Sequence, residues 1–125
     1  MFWDGGKRYE GDYVNDKREG KGICYYKNGD KYVGDWRNDK REGKGIYYFN
    51  NEPLKGDIFK GEWKNNLKEG KGIFYYNEGD IYKGEWRNDK EEGKGIEYYK
   101  NGDVYIGDFK NGLRDGKVRA TSRAR

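Results

Sequence analysis

Five residues, Glu-Gly-Lys-Gly-Ile, occur four times in this chain, at 19–23, 42–46, 69–73 and 92–96. The copies start 23, 27 and 23 residues apart. A second motif keeps step with the first: Tyr32-Val33-Gly34-Asp35-Trp36, Phe59-Lys60-Gly61-Glu62-Trp63, Tyr82-Lys83-Gly84-Glu85-Trp86 and Tyr105-Ile106-Gly107-Asp108-Phe109. An earlier copy, Tyr9-Glu10-Gly11-Asp12-Tyr13, precedes them. Self-similarity at a short fixed period marks a repeat array, in which each small unit is stabilised by stacking on its neighbours. The possible folds are thereby limited to those that one unit of this size can tile.

Each unit carries the signals of a β-hairpin. In the first full copy, β-branched and aromatic residues over 22–27 lead into Asn28-Gly29 and return over 30–36. Asn-Gly is the strongest two-residue hairpin signal, because a type I′ turn needs positive φ at both central positions. Read this way, Tyr25 faces Tyr32, Ile23 faces Gly34 and Lys21 faces Trp36. Strand alternation then gathers Ile23, Tyr25, Tyr32, Gly34 and Trp36 on one face. Cys24, Tyr26, Val33 and Asp35 fall on the other. Arg37–Lys40 reads as a polar connector to the next copy.

Composition fits a thin structure better than a thick one. Charged residues make up 40% and hydrophobic ones 32%, with mean hydropathy −1.44, values that lean towards disorder on their own. Aromatics at 18% and the 21 glycines hold fixed places in the repeat, which excludes that reading. The net charge of +4 comes wholly from the C-terminal end, where Arg114, Lys117, Arg119, Arg123 and Arg125 face one acid, Asp115. The remainder is neutral and has no basic stripe of the kind a nucleic-acid binder shows. A nucleic-acid partner is therefore not expected. The single Cys24 excludes an internal disulfide and suits a reducing compartment. The composition, rich in Asn, Lys, Tyr and Ile with one proline, is of the kind that AT-rich protist genomes encode.

The array is expected over 1–116, with a partial repeat at 1–19 and full repeats at 20–42, 43–69, 70–92 and 93–115. The opening of the first copy lacks its Gly-Lys-Gly-Ile part, so the chain reads as a fragment of a longer protein. The second repeat carries an insertion at 50–55 with the one proline, Pro53. Insertions in repeat arrays map to loops at one edge. The segment 117–125 reads as a basic, disordered tail.

The unit of Gly-x-Gly, an aromatic pair, Gly-Asp and Tyr-x-Gly-(Glu/Asp)-Trp resembles the MORN repeat (membrane occupation and recognition nexus). The resemblance runs from about Phe2 to Gly116. Departures are the insertion, Tyr13 and Phe109 in the tryptophan slot, and a degenerate last copy. It implies an all-β fold in which tandem β-hairpin repeats of about 23 residues join into one elongated, twisted, single-layer antiparallel sheet. Proteins of that family serve in ciliary radial spokes, basal complexes of parasites and junctional membrane complexes. Some are accessory domains of phosphoinositide kinases and methyltransferases.

Catalysis finds no support in the residues. The chain has no histidine, Cys24 has no recognisable base, and the paired acids recur with the repeat as structural elements. No glycine-rich loop leads into a helix to cradle phosphate. Neither cofactor nor metal is expected. The expected function is a protein-interaction scaffold, cytoplasmic and part of a ciliary, axonemal or other cytoskeletal assembly. Its expected partner-binding residues are Tyr25, Tyr32, Trp36, Tyr48, Phe59, Trp63, Tyr75, Tyr82, Trp86, Tyr105 and Phe109, on a concave aromatic face. The plainer reading is that these rings brace the sheet, and both roles are compatible. Exposed edge strands offer a route to a homodimer. The alternatives are a membrane-associating module using Arg114, Lys117, Arg119, Arg123 and Arg125, since anionic lipid surfaces select basic clusters, or, as the resemblance implies, an accessory domain of a larger enzyme.

Overall fold

The computed structural model describes residues 2–4 and 7–122, with side-chain surroundings from Arg8 to Arg114. Eleven strands follow one another: β1 (Phe2–Asp4), β2 (Lys7–Val14), β3 (Lys17–Tyr25), β4 (Lys31–Arg37), β5 (Lys40–Tyr48), β6 (Ile58–Lys64), β7 (Leu67–Tyr75), β8 (Ile81–Arg87), β9 (Lys90–Tyr98), β10 (Val104–Lys110) and β11 (Leu113–Ser122). They form one antiparallel sheet in sequence order, every strand paired with the next. The described residues contain no helix. The single-layer hairpin array expected from the repeat is therefore what the chain forms. Over its last part the outcome differs: the expected disordered tail continues as β11 through Ser122, paired with β10, while Arg123–Arg125 lie outside the described residues.

The tight turns are not where the sequence placed them. Type I′ geometry, with two successive positive φ values, occurs at Asn38-Asp39 (49° and 70°) and recurs at Asn15-Asp16, Asn65-Asn66, Asn88-Asp89 and Asn111-Gly112. These are the segments read as connectors. At Asn28-Gly29 only the glycine has positive φ, 99°. Here Gly29 N–H donates to Tyr26 O at 3.0 Å and Tyr26 N–H to Asp30 O at 2.9 Å, closing a three-residue loop. That is a turn followed by a glycine bulge, the next commonest hairpin connection. In the second repeat the insertion closes on the equivalent pair, Phe49 N–H to Asp57 O at 3.0 Å, so the sheet is undisturbed by it.

The extra loop residue shifts the register by one, and a shift of one exchanges the two faces of a strand. Cys24 pairs with Tyr32, Ile23 with Val33, Gly22 with Gly34 and Gly20 with Trp36. Tyr25 pairs with Lys31. Ile23 and Tyr25 therefore lie opposite Tyr32 and Trp36, not beside them, and Cys24 and Tyr26 join the tryptophan face.

This register aligns the glycines. Gly11, Gly22, Gly34, Gly45, Gly61, Gly72, Gly84, Gly95 and Gly107 pair in an unbroken row across the nine strands from β2 to β10. Missing side chains leave a trough, and the Tyr9, Tyr32, Phe59, Tyr82 and Tyr105 rings occupy it. Trp36, Trp63, Trp86 and Phe109 stand between them. Consecutive centroids from Tyr9 through Trp36, Tyr32, Trp63, Phe59, Trp86, Tyr82 and Phe109 to Tyr105 are 4.9–5.5 Å apart, with rings 80–89° to one another. Edge-to-face pairs contribute about 0.5–1.5 kcal/mol each beyond area burial. This chain of rings is the core of the protein, with every member 0–5% exposed.

Polar atoms of the core are satisfied locally. Trp36, Trp63 and Trp86 donate Nε1–H to the carbonyls of Gly22, Gly45 and Gly72 at 3.1, 3.2 and 3.2 Å. Tyr9, Tyr32 and Tyr82 donate to the carbonyls of Asp12, Asp35 and Glu85 at 2.9, 3.0 and 2.9 Å. Burial pushes the Tyr9 hydroxyl up to about 12, and raises those of Tyr32 and Tyr82 further.

The acids of the motif fasten repeat to repeat. Between Gly34↔Gly45 and Trp36↔Arg41, the single residue Asp35 faces Glu42-Gly43-Lys44, and its carboxylate accepts the Lys44 amide at 3.1 Å. Glu62 does the same for Lys71 at 2.9 Å. Glu19 and Glu42 accept the amides of Asn38 and Asn65 in the neighbouring tight turn, at 2.9 and 3.2 Å. At the other edge, Asp30, Asp57 and Asp80 accept the amides of Asn50, Asn77 and Lys100, each at 2.7 Å. Each turn is thus tied to the one before it.

Candidate partner-binding groove

The face turned away from the rings is ordered in rows that run across the strands. One row alternates tyrosine with smaller residues: Tyr25, Lys31, Tyr48, Ile58, Tyr75, Ile81, Tyr98, Val104. The next reads Ile23, Val33, Ile46, Lys60, Ile73, Lys83, Ile96, Ile106. A third pairs opposite charges, Lys21 with Asp35, Lys44 with Glu62, Lys71 with Glu85 and Lys94 with Asp108. Side chains here alternate with the core rings along each strand, so the three rows follow from the same register that builds the core.

A groove of about 830 Å³ lies over this face. Its floor is Ile46, Ile73, Ile96 and Ile106 with the backbone of the glycine row, and lysines and acids form its sides. Along the glycine row the groove reaches main chain, because the Cβ positions of that row point to the ring face. It adjoins a second, more polar groove of about 1230 Å³ beside the tight turns. The floor isoleucines are half-buried and Tyr75 and Tyr98 are exposed, so this apolar surface has no cover among the described residues.

The expected partner-binding residues divide between the two faces. Tyr32, Trp36, Phe59, Trp63, Tyr82, Trp86, Tyr105 and Phe109 are buried core, and their rings offer almost no surface. Tyr25, Tyr48 and Tyr75 stand on the groove face, separated from those eight by the sheet itself. The eight rings expected on one concave aromatic face are thus closed core, and the apolar surface left open is one of isoleucine and tyrosine. The groove-lining residues Val33, Ile46, Lys60, Ile73, Lys83, Ile96 and Ile106 escaped sequence reasoning. The signal for them was the glycine spacing: only one register places all nine glycines in line.

Cations enter the ring face at a repeated position. The Arg18 guanidinium lies 4.4 Å from the Trp36 ring, Arg41 4.8 Å from Trp63, and Arg114 4.4 Å from Tyr105. Lys68 sits among Phe49, Phe59, Phe74 and Trp86 at 5.5–5.8 Å, and burial lowers its pKa. In the third full repeat the same position holds Glu91, whose carboxyl pKa is raised by burial and which takes a 3.3 Å hydrogen bond from Tyr76.

Of the basic residues expected to contact lipid, Arg114 is engaged by Glu97 at 3.3 Å as well as by the Tyr105 ring. The side chains of Lys117, Arg119, Arg123 and Arg125 lie outside the described residues. Among the described residues no cluster of carboxylates and cysteine is arranged to hold a metal ion.

No curated protein matches the chain in a sequence comparison. The family model of the MORN repeat matches it five times, at residues 9–31, 32–52, 59–81, 82–104 and 105–117. Each match but the last spans a Tyr/Phe-Gly-acid strand and the hairpin that follows it, in step with the strands described above. MORN repeats are non-catalytic modules that bind proteins or membranes, and with matches along most of its length this chain belongs to the MORN-repeat family.

Proposed function

We propose that the chain is a non-catalytic protein-interaction scaffold that holds a partner segment in the groove opposite its ring core. The observation that carries this reading is an asymmetry between the faces. One buries nine rings to 0–5% exposure, while the other leaves half-buried isoleucines and exposed tyrosines facing solvent. Contiguous apolar surface without intramolecular cover marks an interaction site. A sheet tied turn to turn along both edges supplies a rigid, elongated template for it. The wider proposal is a structural part of a ciliary or other cytoskeletal assembly in the cytoplasm, where such a template spaces other proteins.

The test is affinity purification from native cells of the chain and of an Ile46→Arg/Ile73→Arg/Ile96→Arg variant shown to be folded by circular dichroism. A discrete protein partner lost only from the variant supports the scaffold, and its identity places the assembly. A partner list unchanged by the variant contradicts docking in the groove. The membrane reading rests on the basic end of the chain. It predicts vesicle binding that weakens with salt and disappears when residues from Lys117 onward are removed. Arg114 does not favour it, because its charge is already paired.

A further inference from the structure

We infer that the occupant of this groove is an acidic, amphipathic α-helix of a partner protein, lying across the strands with carboxylates two helical turns apart over Lys60 and Lys83. The inference rests on the docking reading above and specifies the partner's chemistry.

Charge is the first observation. The chain is neutral outside its C-terminal end, yet the groove is lined by six lysines and only three carboxylates. Two of the three acids are already committed in part: Asp35 caps the Lys44 amide and pairs with Lys21, and Glu62 caps the Lys71 amide. Lys60 and Lys83 are different. Both are exposed, and neither has an ion-pair partner among the described residues. They interrupt a row that is otherwise β-branched and apolar, with Ile46 before them, Ile73 between and Ile96 beyond.

Spacing is the second observation. Neighbouring strands stand about 4.8 Å apart, so Lys60 and Lys83, two strands apart, are separated by about 10 Å at the backbone. Seven residues of α-helix rise about 10.5 Å and return to the same face. In an extended strand the residue about 10 Å away is three positions on and points to the other side. A helix with acids at i and i+7 therefore meets both lysines, while apolar residues at i+3 or i+4 meet Ile73. The same stripe continued in each direction reaches Ile46 and Ile96. Side chains at i, i+3, i+4 and i+7 form one face of a helix.

The test is selection of a displayed library of 20-residue helical peptides against the whole chain. Recovered peptides are then measured against Lys60→Glu/Lys83→Glu and Ile73→Arg variants, each checked for fold by circular dichroism. The expected winners carry Asp or Glu seven apart with an apolar residue between. They bind the double lysine variant about tenfold or more weakly, and exchanging their two acids for lysine restores binding to that variant. Winners that are lost with Ile73→Arg but indifferent to Lys60→Glu/Lys83→Glu would overturn the acidic helix and leave groove docking standing. Winners insensitive to all three changes, or none, would overturn both. Lysine-dependent binding to phosphatidylserine vesicles with no helical winner would assign the groove to a lipid surface instead.

Discussion

The ring of Tyr82 fills the place of a side chain at Gly95. A Cβ built on that glycine would stand 2.6 Å from the ring's Cε1 and 2.7 Å from its Cζ. Gly95 belongs to β9 and Tyr82 to β8, so the contact locks the register of the pair as well as filling its surface. The same relationship recurs between Tyr9 and Gly22, Tyr32 and Gly45, and Phe59 and Gly72. In a sheet of one layer, where no second sheet covers the side chains, this is how a ring becomes fully buried: it lies down on missing side chains and is flanked by its neighbours.

Gly95→Ala should accordingly destabilise the array by about 1–3 kcal/mol or more, as overpacking does. Backbone strain plays no part, because Gly95 is not among the positive-φ glycines. Urea denaturation followed by tryptophan fluorescence measures it. An Ala variant as stable as the parent would show that the ring does not occupy the trough.

Tyr82→Phe removes only the hydroxyl that donates to Glu85 O at 2.9 Å. The expected loss is about 0.5–1.5 kcal/mol, and Phe59 already fills the equivalent slot without a hydroxyl. Tyr82→Ala breaks the ring chain between Trp86 and Phe109, with an expected loss of about 3–5 kcal/mol. The two variants compared in one denaturation series separate the hydrogen bond from the packing.

The turns make a third comparison. Asn38 holds φ 49° and starts a two-residue turn. Asn38→Ala should cost about 1–2 kcal/mol, the expense of a left-handed conformation in a residue with a Cβ, and Asn38→Gly much less. Asn28 has no positive φ and contributes through its side chain, which accepts the Asp30 amide at 2.9 Å. Asn28→Gly should therefore weaken that loop while Asn38→Gly leaves its turn nearly unchanged. Thermal midpoints of the two glycine variants read the difference.

These turns also show what the sequence could and could not convey. Repetition, the hairpin unit and the single sheet were legible because Glu-Gly-Lys-Gly-Ile and Tyr-x-Gly-acid-Trp recur in step. Register was not, because Asn28-Gly29 serves equally in a two-residue turn and in a three-residue loop that ends in a glycine bulge. One residue of slip moved Ile23 and Tyr25 onto the wrong face, and with them the expected binding surface. The three-for-one bulge opposite Asp35 carries no local signal of its own, since its glycine resembles every other glycine in the repeat. Eight of the nine core rings were recognised as important residues, but their burial depends on the glycine row, which only correct pairing reveals.

Glu91 occupies the position where Arg18, Arg41, Lys68 and Arg114 place a cation against rings. Its carboxyl pKa is raised by burial, with Tyr76 the hydrogen-bond donor and Glu97 and Lys68 the nearby charges. A raised acid pKa means that the folded state holds the proton more tightly. Its favourable contribution is present below the unfolded pKa of about 4.3 and is lost as pH rises through the folded value. Glu91→Gln should thus flatten the fall in stability that sets in as pH rises above the unfolded value of about 4.3. Glu91→Arg should stabilise the neutral protein by about 0.5–2 kcal/mol through cation–π contact. Urea midpoints at several pH values check both.

The central claim is that the ring face is closed core and the isoleucine face is open, and thiol labelling tests it most directly. Cys24 is 0% exposed on the ring face, whereas Ile73 lies in the groove floor. Native protein and an Ile73→Cys variant are treated with iodoacetamide, and the labels are counted by mass spectrometry. The account predicts no label on the folded parent and one on the variant, at position 73, with Cys24 reacting only in denaturant. Rapid labelling of Cys24 in the folded parent, with no added label at position 73, would contradict it.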